Sequence, residues 1–230
     1  MFGLDDSIAA FSDGGSLWIV LAVAVLLGLR HATDPDHLAA VTTLVASGRE
    51  QVTRRAAELG LAWGLGHGAT LFVFGLPILL LDAYLPERVQ QVAETAIALV
   101  IVYLAVRLLL RWRAGAFHRH GKDTHVHVPA RSRLGAFGIG LVHGMGGSAG
   151  VGVLLVASVE STPLAVASLA LLALFTGVSM TMLSTGFGLT VFARPIQAVF
   201  GGVAPALGVC SLAFGVWYAT AAWSLAPYPF

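Results

Sequence analysis

The sequence predicts an all-α fold, a polytopic bundle of transmembrane helices. Hydrophobic residues make up 57% of the 230 residues and charged residues only 11%, whereas an average soluble domain is about 25% charged. The apolar residues recur in blocks along the whole chain, and each block is long enough to cross a bilayer as a helix, which takes roughly 20 residues. A soluble fold with several buried helices is therefore disfavoured.

Six apolar stretches predict about six spans within one transmembrane domain over residues 1–230. Helices are expected because lipid-facing backbone must form its hydrogen bonds within its own segment. The first stretch is too long for one straight span and has charged residues in its middle, so we predict a single crossing with a broken helix. The stretches run roughly from Leu17 to Ala46, Leu59 to Leu81, Val92 to Leu110, Leu134 to Ser158, Leu164 to Phe192 and Val199 to Leu225.

The charges between the stretches alternate in sign and predict the orientation. Basic residues follow the first, third and fifth stretches, whereas the opposite side is mostly acidic. The protein is expected in the inner (plasma) membrane of the cell. There the positive-inside rule places the basic loops in the cytoplasm and both termini outside. The formal net charge of +1 carries no information about nucleic acid, and no nucleic-acid partner is expected. The basic residues are Arg49, Arg54, Arg55, Arg111, Arg113, Arg119, Lys122, Arg131, Arg133 and Arg194, and the acidic ones are Asp5, Asp6, Asp13, Asp82, Glu87 and Glu160.

Short similarities between the two halves leave a three-plus-three inverted repeat open. Residues 28–31, Gly-Leu-Arg-His, resemble residues 140–143, Gly-Leu-Val-His. The first span runs inward and the fourth outward, as in transporters whose substrate site lies near the midplane on interrupted helices. Similarity this short also arises by chance in glycine-rich apolar sequence. A second similarity relates Gly66, Gly68 and Thr70 to Gly177, Ser179 and Thr181.

A cluster of ionisable residues in the first span is the main candidate site. Even one unpaired charge at the bilayer centre costs on the order of 3 kcal/mol, so a cluster there indicates function. On a regular helix His31, Asp34 and His37 share one face. Imidazole nitrogen with carboxylate oxygen suits borderline divalent metals such as nickel, cobalt and zinc. The cluster comprises Arg30, His31, Asp34, Asp36 and His37.

Pro35 predicts where the first helix breaks. Proline has no N–H to donate to the carbonyl of His31, and a break there can turn Asp36 toward the other ligands. Arg30 is expected to hold an aspartate rather than to bind metal. Two alternatives remain open: an ion pair with histidines that cap a kink, and a proton relay without metal.

Two more histidines lie at membrane depth and are candidates for the same site. Glycines flank both His67 and His143, and they allow close helix approach. His67 is the better candidate, as a ligand or as a partner that orients one. The alternative for each is a hydrogen-bonded core histidine. Thr70 and Ser148 are weaker candidates for polar lining.

A basic, histidine-rich loop over residues 111–133 is predicted to be cytoplasmic. Histidine-rich tracts often bind metal, so this loop could buffer or sense the ion, although a solvated connector is equally compatible. Its histidines are His118, His120, His125 and His127.

The run from Gly28 to His37 resembles the signature of the nickel/cobalt transporter superfamily, which is His, four residues, then Asp-His. His31, Asp36 and His37 match its fixed positions, and Asp34 matches a further common acid. The later histidine segments and the central loop are similar to the six-span branch with NicO and UreH-like proteins. Pro35 replaces the small residue expected there. These later segments are Gly66-His67 and His143-Gly144 with Gly147-Ser148-Ala149.

The resemblance implies a permease for Ni²⁺ or Co²⁺, with the ion as substrate, no resident cofactor and no enzymatic activity. A proton-relay or other-ion transporter, or a membrane-embedded metalloenzyme, remains the alternative. No His-Glu-x-x-His run for a zinc protease occurs, and the single Cys210 excludes an intrachain dithiol. Uptake versus export, the energy source, a homo-oligomer and a metallochaperone partner are left open.

Overall fold

The computed structural model describes residues 17–46, 52–81, 86–114, 132–146, 159, 161–191 and 194–227. Within these residues the backbone forms seven helices and no strand, which confirms the predicted all-α class. The helices are α1 (Leu17–His31), α2 (Pro35–Ala46), α3 (Val52–Leu81), α4 (Glu87–Arg113), α5 (Arg133–His143), α6 (Thr162–Val191) and α7 (Arg194–Ala221).

Up to five membrane spans can be assigned among the described residues. Four helices, α3, α4, α6 and α7, are long and apolar enough to cross, and α1 with α2 adds a fifth span that is bent by 46°. The molecule is therefore a multi-pass helical bundle. The stretch from Leu134 to Ser158 begins with α5, but residues 147–158 lie outside the described residues, so the sixth span stays a prediction.

Three helices begin several residues before their apolar stretches, and one of them is α7, which begins at Arg194 rather than Val199. Helix α3 begins at Val52 rather than Leu59, and α4 covers Glu87–Arg113 rather than Val92–Leu110. The added residues are mostly polar. They can still be helical because a helix can continue beyond the hydrocarbon core into the polar headgroup region. The apolar pattern thus predicted the membrane-embedded part of each helix and not its full length.

The first span is broken just before Pro35, as the sequence predicted. A tight turn replaces the helix at residues 32–34, where the Thr33 N–H donates to the Arg30 carbonyl at 2.8 Å and the Asp34 N–H to the His31 carbonyl at 3.2 Å. Pro35 is then the first residue of α2, a position where its missing N–H costs no hydrogen bond.

The helices pack in pairs that an exchange of the two halves would reproduce. Helices α3 and α6 pack together, α1 packs on α6, α5 packs on α3, and α4 packs on α7. In chain order, α1 with α2 forms the first span, α3 the second and α4 the third, while α5 begins the fourth span, α6 forms the fifth and α7 the sixth. If each span of the first half is exchanged with the corresponding span of the second half, the pair α1–α6 becomes the pair α5–α3. The pairs α3–α6 and α4–α7 are unchanged. These helix pairs are the ones that a repeat of the two halves would give, and the inverted relation between the halves stays a prediction.

Side-chain hydrogen bonds and small residues hold these pairs together. The Ser179 hydroxyl on α6 donates to the Gly28 carbonyl on α1 at 2.9 Å, and the Trp112 indole on α4 donates to the Gly201 carbonyl on α7 at 2.7 Å. Between α3 and α6, a Cβ on Gly64 would lie 2.9 Å from the Cα of Gly177. Such contact between backbones is typical of membrane helices with small residues at the crossing.

Candidate metal centre

The broken first span, α3 and α5 bring four histidines and an aspartate together in the interior. His31 is the last residue of α1, Asp36 and His37 lie in the first turn of α2, His67 lies within α3, and His143 is the last residue of α5. Each side chain is buried, with at most 6% of its residue surface exposed. The centre therefore contains residues from three of the predicted spans.

Three imidazoles form the first part of this centre. The Nε2 atoms of His31 and His67 lie 3.0 Å apart, and the ring of His37 lies 4.5 Å from that of His31 and 5.1 Å from that of His67, between centroids. One ligand atom from each of the three lies within 4.8 Å of the others. Two nitrogens bound to one metal at about 2.05 Å are about 2.9 Å apart at a right angle, so little movement would let both bind one cation.

Asp36 holds the second part together. Its Oδ1 accepts hydrogen bonds from the backbone N–H and from Nδ1 of His37, both at 2.9 Å. Its Oδ2 lies 3.2 Å from Nε2 of His143. One ligand atom from each of Asp36, His37 and His143 lies within 4.8 Å of the others. This carboxylate therefore joins the first span to α5.

The hydrogen bonds to Asp36 leave a free nitrogen lone pair on each of its two imidazole partners. In a neutral imidazole that donates through one nitrogen, the other nitrogen carries no hydrogen. Nε2 of His37 and Nδ1 of His143 are both buried and have no hydrogen-bond partner among the described residues. An unsatisfied buried polar atom costs about 1–3 kcal/mol, so these two nitrogens fit a site for an electron-accepting ligand such as a metal cation.

Asp34 lies on the other side of His31 and pairs with Arg30. Its Oδ1 is 3.5 Å from Nη2 of Arg30, and its Oδ2 is 3.4 Å from Nδ1 of His31. Arg30 thus contacts an aspartate, as the sequence suggested. Because His31 faces Asp34 with one nitrogen and His67 with the other, Asp34 fixes which nitrogen points into the centre.

Glycines bring α5 close enough to place His143 beside α3. A Cβ on Gly140 would overlap the Trp63 carbonyl, and one on Gly144 would lie 2.6 Å from the His67 carbonyl. The two helices therefore touch through their backbones, and the ring centroids of His67 and His143 are 6.1 Å apart. The glycines around these histidines act through this close approach.

Two buried residues, Trp63 beside the centre and Glu94 on α4, were not identified from the sequence. Trp63 is fully buried, and its ring lies 5.7 Å from the rings of both His37 and His143. Its position one helical turn before His67 was an available signal. Glu94 on α4 is only 3% exposed, and a Cβ on Gly146 would lie 3.4 Å from its Cγ; nothing in the apolar pattern indicated that α4 approaches α5 there.

The remaining sequence candidates either bond within their own helix or lie outside the described residues. Thr70 is buried, but its hydroxyl donates to the Gly66 carbonyl on its own helix at 3.1 Å. Ser148 lies outside the described residues, and so do residues 115–131 of the histidine-rich loop, including His118, His120, His125 and His127.

Comparison with known proteins gives one family and two relatives. The profile of the NicO family, described as high-affinity nickel-transport protein, matches residues 17–136. The chain is 27% identical over 215 residues to the urease accessory protein UreH of Bacillus sp. (strain TB-90), which covers 90% of this chain and 92% of that protein. It is 33% identical over 129 residues to the high-affinity nickel transport protein of Cupriavidus necator (strain ATCC 17699), which covers 49% of this chain and 36% of that protein. No solved structure matches the chain.

The family match includes most of the centre. Residues 17–136 contain His31, Asp36, His37 and His67, whereas His143 lies beyond the matched region. The longer similarity to the urease accessory protein extends over most of the chain.

Proposed function

Because the chain belongs to the NicO family of high-affinity nickel-transport proteins, we propose that it is a permease that carries Ni²⁺, and with the same ligands Co²⁺, through the centre around His37. NicO is a family of transporters and not of enzymes, so the chain is not a membrane-embedded metalloenzyme. The observation that carries the proposal is the convergence of three buried imidazoles, from His31, His37 and His67, beside a buried carboxylate.

The ligand chemistry of the centre matches a borderline divalent cation. Imidazole nitrogens replace part of the water shell of the ion, and such nitrogens suit nickel, cobalt and zinc rather than magnesium or calcium. The carboxylates of Asp34 and Asp36 offset the positive charge, which lowers the cost of bringing a divalent ion to membrane depth. The order of affinity for such ligands does not by itself separate nickel from cobalt.

A proton relay without metal fits the geometry less well. A relay accounts for the hydrogen bonds that join His37 and His143 to Asp36. It does not require that ligand nitrogens of His31, His37 and His67 converge within 4.8 Å of one another, whereas a metal cation would use these nitrogens directly. The ion pair between Arg30 and Asp34 accounts for those two residues only and leaves the imidazoles unexplained.

The proposed orientation has its basic helix ends in the cytoplasm. Arg133 at the start of α5 donates to Glu58 on α3 at 3.0 and 3.2 Å, and Arg54 near the start of α3 donates to the same carboxylate at 3.2 Å. The beginnings of α3 and α5 are thus at one end of the bundle. The positive-inside rule assigns that end to the cytoplasm. We further propose that a metallochaperone accepts the ion at the cytoplasmic end. We also propose that the protein assembles as a homo-oligomer.

The test is accumulation of radioactive nickel in intact cells that express the wild type or the His37→Ala variant. The matched control is Thr185→Ala, whose hydroxyl bonds only to the Thr181 carbonyl on its own helix among the described residues, at 2.6 Å. We expect the wild type and the control to change cellular nickel relative to empty-vector cells, and His37→Ala to abolish the change. Unlabelled Co²⁺ and Zn²⁺ as competitors rank the metals.

The sign of the change gives the direction of transport. Nickel above the empty-vector level means uptake, and nickel below that level means export through the same centre. If all three proteins reach the membrane in equal amounts and none alters cellular nickel, the nickel proposal is refuted.

A further inference from the structure

Each half of the molecule contributes one helix that ends at a histidine of the centre. Helix α1 ends at His31 and is followed by the turn at residues 32–34, and α5 ends at His143 and is followed by the turn at residues 144–146. A helix C-terminus carries a partial negative charge of about −0.5, which attracts cations. The exchange of halves that relates the helix pairs also relates these two histidines.

These two histidines belong to different sets of ligands. His31 shares its set with His37 and His67, whereas His143 shares its set with Asp36 and His37. The ring of His37 lies 4.5 Å from the ring of His31 and 4.5 Å from the ring of His143. His37 is therefore the common member of both sets and lies between them.

We propose that the centre has two adjacent positions for one divalent transition-metal cation, and that the ion passes from one to the other across His37. The first position is formed by His31, His37 and His67, and the second by Asp36, His37 and His143. This inference rests on the proposed nickel transport and adds His143, which lies outside the family match. Transport then consists of two binding steps instead of one.

The two positions are alternatives and are not filled together. Two divalent cations that share one imidazole repel strongly in a buried site of low dielectric constant. Nε2 of His143 is the nitrogen that faces Asp36, 3.2 Å from Oδ2, so in the second position a cation would replace the hydrogen bond between these two atoms. Asp36 has two carboxylate oxygens and so keeps capacity for a cation beside its imidazole partners.

A double-variant cycle on nickel binding separates two alternative positions from one common site. The purified full chain in detergent is titrated with Ni²⁺ as wild type, His31→Ala, His143→Ala and the double variant. Each single variant destroys one position and leaves the other, so we expect the dissociation constant to rise by only about threefold or less. The double variant destroys both positions, and we expect it to bind more than about 100-fold more weakly, a strongly non-additive result.

Transport and the shared residue provide two further readouts. His37→Ala alone is expected to weaken binding as much as the double variant, because both positions lose a ligand. Each single variant is expected to retain nickel binding but to lose transport in cells, since the ion can no longer pass on. Thr185→Ala serves again as the control for expression and folding.

Several results would overturn the two-position inference. Losses from His31→Ala and His143→Ala that multiply in the double variant would mean one common ligand set. Loss of binding in His31→Ala alone, or full transport by His143→Ala, would exclude the second position. A wild-type protein that folds but does not bind Ni²⁺ would instead refute the proposed function itself, so the two failures are distinguishable.

Discussion

The close contact between α5 and α3 predicts that Gly144→Ala impairs transport. The added Cβ would lie 2.6 Å from the His67 carbonyl oxygen and 3.0 Å from Cβ of Thr70. The first distance falls 0.8 Å short of the 3.4 Å at which ordinary van der Waals contact begins. Neither atom belongs to the flexible end of a long side chain, so the two helices must separate locally.

The consequence of that separation follows from the position of His143, the residue before Gly144. A displacement of about 1 Å at a reacting or binding group can cost about 100-fold in rate, and overpacking of a tight interface costs about 1–3 kcal/mol. We therefore expect nickel transport to fall by about 10- to 100-fold and the melting temperature to fall as well.

The matched control lies on α5, whose C-cap is Gly144. A Cβ on Gly138 meets nothing within 4 Å, so Gly138→Ala is expected to transport as the wild type does. Initial rates of radioactive nickel transport, normalised to protein in the membrane, are compared with thermal melting of the purified variants. If Gly144→Ala and Gly138→Ala transport equally, close approach of α5 does not position the centre and the reasoning is wrong.

Two further predictions concern side chains around the centre. Trp63→Phe is expected to retain most transport because the indole Nε1 of Trp63 has no partner among the described residues. Trp63→Ala leaves a cavity that costs about 3–5 kcal/mol of stability. Melting curves and transport rates of the two variants check this prediction, and an equal effect of both would contradict it. Asp34→Asn removes the negative charge beside His31 and Arg30. We expect its affinity for nickel to fall by about 10- to 100-fold and to recover in part in Asp34→Glu. Nickel titrations of purified Asp34→Asn that match those of the wild type would contradict this prediction.

The sequence predicted the helical class and the break in the first span because both have strong local causes. Apolar stretches of membrane length leave few alternatives to helices, and Pro35 removes a hydrogen bond that a straight helix needs. The convergence of His31, Asp36 and His37 with His67 and His143 required more, because side chains distant in sequence meet only through helix packing. The motif resemblance pointed to these residues, but it did not indicate which of them contact one another.

The packing of particular small and aromatic residues was beyond the reach of the sequence. The glycines of α5 were expected to allow close approach, yet nothing in the sequence indicated that Gly140 meets the Trp63 carbonyl rather than another helix. Asp36 was expected as a metal ligand, but no pattern in the sequence indicated that its carboxylate bonds His37 and His143 at once. Such contacts depend on the rotation and depth of each helix, which a pattern along one chain does not determine.

The lengths of α1 and α5, the two helices that end at a histidine of the centre, bear on how a cation would move through it. Helix α1 has 15 residues, so His31 lies about 22 Å from its start, and α5 has 11 residues, so His143 lies about 16 Å from its start. In the proposed orientation α1 enters from outside and α5 from the cytoplasm. In a hydrocarbon core of about 30 Å, His31 then lies nearer the cytoplasm and His143 nearer the outside, by about 8 Å if neither helix is tilted. The ring of His37 lies 4.5 Å from each of the other two rings, so a cation that passes from the His143 set to the His31 set would advance along the membrane normal, in the direction of uptake.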